Sequence, residues 1–272
     1  MSFGGNNRRR NNPGGGGKPP TVDPIDESNP VLVSFRQYAR ELDDKHDRYE
    51  RIVKIGRDIT IESKRLIFLL HTIDPKKNNR EKVLEESQQR LDKICQTSFS
   101  KIAKELEGRD QYQYTRAFSA GLQEFVEALT FYQYMSGKDL TDWTVLQESL
   151  KYKEEDSPEI QCLVQPIEYM LGITDMTGEV MRNCVNSLGS GDVDTCFESR
   201  SFLQTLLTGF LGLGQTHNRE MSRKINTMRQ SVLKAEAVCY NLRVRGKEAA
   251  KWGAEEKFME KDANADIDEG FF

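Results

Sequence analysis

The sequence has few of the residues that build disulfide frameworks, zinc sites and nucleophilic triads. Its five cysteines are scattered, odd in number and without CxxC spacing, so we interpret them as reduced residues of an intracellular protein. The three histidines, His46, His71 and His217, occur in polar or helix-end contexts, and none belongs to a recognisable serine or cysteine nucleophile motif. These features argue against a disulfide-stapled domain, a structural zinc site and triad catalysis.

Several other signatures are missing. There is no P-loop sequence, and no Glu-x-x-His pair of the kind that builds di-iron centres in helical bundles. No apolar run reaches the ~18 residues expected of a membrane span, and the N-terminus does not have the form of a signal peptide. Because the net charge is −4, nucleic-acid binding would require a local basic patch.

The chain is organised as one helical region between two tails. Residues 1–29 are rich in Gly, Asn, Arg and Pro, and we expect them to be disordered. Residues 247–272 are predicted to be an acidic C-terminal tail. Between them, apolar periodicity and capping signals predict seven helices and no strand. The predicted helices span residues 28–72, 81–106, 110–137, 141–150, 166–189, 192–213 and 219–244. The fold class is therefore all-α, a bundle of about seven helices.

Two apolar segments, residues 117–137 and 167–188, carry carboxylates at helical spacing. Glu124 and Glu127 are the only charged residues of the first segment, and Asp175 and Glu179 lie one turn apart on the second. Such acids are costly inside apolar helices unless they are paired, hydrogen-bonded or bound to a metal. One interpretation is that the two helices face each other and bring the four acids together. The other is that each stripe of acids is simply a solvated face.

If the acids converge, their chemistry favours a hard cation. Ligands that are all oxygen suit Mg²⁺ or Mn²⁺, and such an ion can assist phosphodiester hydrolysis. Arg182 lies on the same helical stripe as Asp175, so it either neutralises the carboxylates or binds a phosphate of the substrate.

Four segments together resemble the translin family. They are residues 46–71, residues 121–131 (GLQEFVEALTF), residues 169–192 and residues 241–246 (NLRVRG). The resemblance covers about residues 29–246. The acids at Glu124, Glu127, Asp175 and Glu179 are similar to those of the translin-associated factor X branch. The resemblance implies an elongated seven-helix fold and assembly with translin into a closed hetero-octameric shell.

The resemblance also implies an activity, a Mg²⁺-dependent endoribonuclease acting on single-stranded RNA. Expected substrates are the nicked passenger strand of small interfering RNA, cleaved as the RNA-induced silencing complex is activated, and fragments of transfer RNA precursors. Glu124, Glu127 and Asp175 match the family's catalytic acids, and Glu179 matches a further metal-site acid. We expect a cytoplasmic and nuclear location. The alternative is a non-catalytic RNA-binding or scaffold subunit of a translin complex.

The first predicted helix carries a further expectation. At 1.5 Å per residue it would be roughly 60 Å long, which is long for a compact domain, and it has apolar residues almost throughout. We therefore expect part of its apolar surface to stay exposed in a lone subunit, as interfaces do.

Overall fold

The computed structural model describes residues 27–153, 158–214 and 218–245. Most of both predicted tails, residues 1–26 and 247–272, lies outside the described residues, as does His217. The chain divides into two units, residues 1–46 and residues 47–272, and each is described separately below.

The described residues are almost entirely helical, which confirms the all-α class. The helices are α1 (Pro30–Leu70), α2 (Arg80–Lys93), α3 (Ser100–Glu105), α4 (Thr115–Ser136), α5 (Trp143–Ser149), α6 (Pro166–Ser190), α7 (Val193–Gly212) and α8 (Arg219–Arg245). A π-helical segment, Ile94–Phe99, joins α2 to α3 without a break. If α2, the π-helical segment and α3 are counted as one continuous helix, the described part of the chain has the predicted seven helices. None of these helices is both long and apolar enough to cross a membrane.

Three details differ from the sequence prediction. The second helix contains the π-helical segment, which apolar periodicity alone does not reveal. The third predicted helix, α4 in the structure, begins at Thr115 rather than near residue 110, because Gln111–Gln113 form a separate 3₁₀ turn capped by the Asp110 side chain. Residues Lys151–Tyr152 and Ile160–Gln161 form an antiparallel β pair in a stretch predicted to be irregular. Strands of two residues are too short to show an alternating pattern.

In the first unit, α1 begins as predicted. The Asn29 side chain accepts a hydrogen bond from the Val31 backbone N–H at 2.9 Å, and Pro30 occupies the first helical position. Apolar side chains of this part of the helix are 50–66% exposed; they are Val31, Val33, Phe35, Tyr38 and Leu42. This exposure confirms that the helix leaves apolar surface uncovered in the single chain.

In the second unit, close helix contacts set the position of α4. A Cβ atom added to Gly121 would lie 2.5 Å from the carbonyl oxygen of Gly56 on α1, so two glycine backbones meet at this crossing. On the other side, Gly172 of α6 lies so close to α4 that an added Cβ would be 2.6 Å from Val126 Cβ. These glycines thus permit α4 to lie close to α1 on one side and to α6 on the other.

The remaining core lies where α6 packs against α7 and α8. The five cysteines are free thiols, as predicted. Three of them, Cys184, Cys196 and Cys239, come from these three helices and are buried together, with their Sγ atoms hydrogen-bonded to backbone carbonyls. They contribute to packing in this layer.

Candidate functional site

Carboxylates of α4 and α6 line one open pocket of about 340 Å³. Glu124 and Glu127 project from α4, and Asp175 projects from α6. The remaining lining comes from α6 and α8: Thr174, Thr177, Gly178, Arg223, Lys224 and Thr227. The two apolar helices therefore face each other as one interpretation of the sequence predicted. The solvated-face interpretation is wrong for Glu127, which is only 9% exposed.

Glu127 is the acid most altered by its surroundings. Burial raises the pKa of its carboxyl group from the ordinary 4.5 to about 8, with further contributions from Glu124, Asp175 and Glu179. The nearby Lys224 opposes this shift. At neutral pH and without a bound cation, Glu127 is therefore largely protonated, and burial is the main cause.

Two lysines bind the other pocket acids, and the sequence analysis identified neither. Lys64 of α1 places Nζ 3.0 Å from Glu124 Oε1, and this hydrogen bond raises the pKa of Lys64. Lys224 of α8 is 12% exposed and places Nζ 2.5 Å from Asp175 Oδ2. Lys224 could have been identified from the sequence pattern of α8. It lies on the same helical face as Met221 and Met228, which are fully buried. A lysine on a buried helical face requires a partner.

Glu179 does not line the pocket, although it lies close enough to raise the pKa of Glu127. Its Oε2 atom is 2.6 Å from Nε2 of His71, at the end of α1, and 3.2 Å from Nη1 of Arg182. The His71 ring also packs against Phe131, with ring centroids 4.9 Å apart. Arg182 thus contacts Glu179 and is otherwise exposed, and its role stays a prediction.

A polar chain connects the pocket to the α4–α6 interface. Glu168 of α6 accepts hydrogen bonds from Ser119 Oγ at 2.7 Å and from Gln123 Nε2 at 2.6 Å. The Gln123 side-chain oxygen in turn accepts a hydrogen bond from Lys224 Nζ at 2.7 Å. Lys224 is therefore oriented by α4 as well as by α6. This network fixes where its charge lies relative to Asp175.

The chemistry of the pocket fits a hard divalent cation. Its acidic side chains offer only oxygen donors, which Mg²⁺ prefers. Over residues 27–153, 158–214 and 218–245, however, no three Asp, Glu, His or Cys side chains are close enough to hold one metal ion. Each of Glu124 and Asp175 is instead paired with a lysine, so a cation would have to displace or share these ammonium groups.

Comparison with known proteins identifies the family. The translin family matches residues 47–246. This chain belongs to the translin family. It is 40% identical to translin-associated protein X of Pongo abelii over 90% of both chains, and 40% identical to that of Mus musculus over 89% of this chain and 88% of the relative. It is 29% identical to the Schizosaccharomyces pombe homologue over 77% of this chain and 86% of that one.

Solved structures show the same fold. The crystal structure of apo-NeC3PO has a TM-score of 0.59 and 18% identity, and covers 78% of this chain and 96% of that one. AfC3PO has a TM-score of 0.58 and 19% identity, with coverage of 82% and 100%. A complex of AfC3PO with duplex RNA has a TM-score of 0.58 and 18% identity, with coverage of 81% and 98%. At these identities the likeness establishes the translin-like helical fold of this family member.

Proposed function

We propose that this chain is the catalytic subunit of a Mg²⁺-dependent endoribonuclease that assembles with translin. The observation that carries the proposal is the convergence of Glu124, Glu127 and Asp175 on one open pocket. Burial of the Glu127 carboxyl group among other acids destabilises the fold, and acids perturbed in this way are common at functional sites.

The pocket acids would hold the cation. We assign Glu124, Glu127 and Asp175 to the metal, with Glu179 as a further acid nearby, and Mn²⁺ as a possible replacement for Mg²⁺. When bound, such an ion supplies Lewis-acid polarisation of a phosphodiester and lowers the pKa of coordinated water.

The chain's own side chains suggest how RNA would be positioned. Arg223 lines the pocket, and Lys64 and Arg182 lie beside it with exposed side chains. Guanidinium and ammonium groups at these places can bind the phosphates on either side of the scissile bond.

We extend the proposal to substrate and partner. The mammalian relatives are named translin-associated, which supports translin as the partner, and the family resemblance supports a hetero-octameric shell. AfC3PO, a fold neighbour, has been solved with duplex RNA. For this chain we propose single-stranded RNA, including the siRNA passenger strand nicked during silencing-complex activation and transfer RNA precursor fragments. A cytoplasmic and nuclear location stays a prediction from the sequence.

One observation favours a second function. Glu124, Asp175 and Glu179 each have a cationic partner in the folded chain, namely Lys64, Lys224 and Arg182. Acids neutralised in this way could serve only to fix α1, α4, α6 and α8 relative to one another. The protein would then be a non-catalytic RNA-binding or scaffold subunit of the translin complex.

Single substitutions in the assembled complex distinguish the two functions. The chain is co-expressed with translin, sized, and assayed on a labelled single-stranded RNA with Mg²⁺, with Ca²⁺ and with a chelator. Glu124→Ala, Glu127→Ala and Asp175→Ala should each abolish cleavage while the complex keeps its size. Cleavage by the unchanged complex should require Mg²⁺ or Mn²⁺ and should be suppressed by Ca²⁺ or the chelator.

Glu198→Ala is the matched control, because Glu198 is an exposed acid on α7 outside the pocket. It should cleave at the wild-type rate. Wild-type rates in the three pocket variants would overturn the site assignment. RNA binding without turnover in any metal, together with lower stability of the pocket variants, would establish the scaffold function instead.

A further inference from the structure

Two residues of α1 and the residue that follows its last turn form a stripe along the helix near the acidic pocket. Lys64, Phe68 and His71 are spaced i, i+4 and i+7, so at about 100° per residue they lie within ~60° of one another on the helix. The outer two contact acids on other helices, Lys64 with Glu124 and His71 with Glu179. Phe68 lies about 40° around the helix from Lys64, next to the edge of α1 that contacts the acids of α4 and α6.

Phe68 itself is not part of the core. Its side chain is 75% exposed, the largest exposed fraction among the large apolar residues that the structure describes. Its neighbours on the helix, Leu66, Ile67 and Leu70, are buried. An aromatic ring left in water at this position has no role in packing this chain, and it lies one turn along α1 from Lys64, which contacts the pocket acid Glu124.

The charges around Phe68 are those that bind a nucleic-acid backbone. Lys64 and Arg65 lie one turn before it, and both side chains are more than 60% exposed. Arg182 is equally exposed and contacts Glu179, which also contacts His71 of the stripe. An exposed aromatic ring with cationic side chains one turn away on the same helix can bind a single strand, because the ring stacks on a base while the cations contact phosphates.

We propose that Phe68 is a stacking platform for one unpaired base of RNA at the mouth of the acidic pocket. This inference deepens the proposed function and rests on it for the identity of the ligand. Only a base that is free of a duplex can stack on a side chain in this way. Phe68 would therefore select single-stranded RNA and position the strand next to Glu124, Glu127 and Asp175.

Binding in the absence of cleavage tests the platform. The probe is a short single-stranded oligouridylate containing one 2-aminopurine, whose fluorescence is quenched when it stacks. It is titrated with the translin complex in chelator, so that no turnover is required. Phe68→Ala should lose the quenching and bind about 10-fold more weakly, as expected for the loss of one base–aromatic stack. Phe68→Trp should retain both, and the affinity of each variant for a blunt RNA duplex should match the wild type.

Tyr240→Ala is the matched control, since Tyr240 is an equally solvated aromatic on α8. It lies roughly 24 Å along the helix from Lys224 at 1.5 Å per residue. Unchanged quenching and affinity in Phe68→Ala would overturn the proposal. So would loss of assembly with translin in that variant, since Phe68 would then be part of a protein interface.

The two proposals fail in different measurements. If Glu124→Ala still cleaves, the proposed active site is wrong, yet the quenching assay still reports whether Phe68 stacks on RNA. If Phe68→Ala quenches normally while Glu124→Ala is inactive, the platform is wrong and the active site stands.

Discussion

At the scale of single residues, the chemistry of the pocket depends on Glu127. Its neighbours Glu124 and Asp175 have lysine partners, whereas Glu127 is buried among carboxylates, and this raises its pKa to about 8. A carboxyl group buried in this way opposes folding whenever it is ionised. Glu127 therefore lowers the stability of the folded protein at a buried position. Strongly perturbed ionisable groups of this kind are common at functional sites.

The destabilisation caused by the Glu127 carboxyl group depends on pH. Between the ordinary pKa of 4.5 and the folded value of about 8, the folded chain binds the Glu127 proton more tightly than the unfolded chain does. Stability should therefore fall as the pH rises through this range and level off above it. At about 1.4 kcal/mol per pH unit, the loss is at most about 5 kcal/mol.

Glu127→Gln should remove this dependence. We expect the melting temperature of the variant to exceed that of the wild type by an amount that grows from about pH 5 to about pH 9, measured in chelator. Glu198→Gln, which changes an exposed acid, should follow the wild-type curve. Parallel curves for the wild type and Glu127→Gln would mean that Glu127 is not perturbed in the folded protein.

At the scale of helices, the crossing of α1 and α4 positions Lys64 next to Glu124. Gly56 and Gly121 bring the two backbones into contact, and two turns beyond Gly56 along α1 lies Lys64, which binds Glu124. A larger residue at the crossing would separate the helices that carry this pair. The glycines are thus required by packing, not by an unusual backbone conformation.

Gly121→Ala should destabilise the protein by about 2–3 kcal/mol, because the added Cβ would lie 2.5 Å from the Gly56 carbonyl oxygen and the backbones must move apart. Urea unfolding of the wild type and the variant measures the difference. Gly209→Ala on α7 is the control: nothing lies within 4 Å of its added Cβ, so the change should be neutral or stabilising by up to about 1 kcal/mol. Equal stability of Gly121→Ala and the wild type would contradict the close crossing.

At the scale of the whole molecule, the first part of α1 indicates dependence on a partner. Its five exposed apolar side chains, from Val31 to Leu42, occur within about three turns of helix. Apolar surface of this kind is typical of protein interfaces. A partner that binds only the folded chain stabilises it by mass action.

We therefore expect the isolated chain to be poorly soluble or unstable and to be stabilised by translin. The measurement is its melting temperature at several protein concentrations, with and without translin, which should rise with translin concentration. The double variant Phe35→Ser and Tyr38→Ser should improve the solubility of the lone chain and weaken the effect of translin. A soluble monomer whose melting does not respond to translin would remove the structural support for an obligate complex.

Much of the secondary structure of this protein is determined by patterns within single segments of the sequence. The apolar periodicity that defines each helix, the capping at Asn29 and Pro30 and the spacing of Glu124 with Glu127 are local properties of the chain. The helices and the shared face of each acid pair could therefore be predicted. The π-helical segment and the two-residue β pair could not, because each depends on packing and is too short to carry a pattern of its own.

The tertiary structure decided what surrounds the acids. Lys64 and His71 come from α1 and Lys224 comes from α8, so their contacts with Glu124, Glu179 and Asp175 join residues 49 to 108 positions apart in the chain. Nothing in the local sequence of α4 or α6 indicates these partners. The raised pKa of Glu127 and the exposed position of Phe68 beside the pocket likewise arise only when separate helices pack, because burial and electrostatic contact are properties of distance in space and not of spacing along the chain.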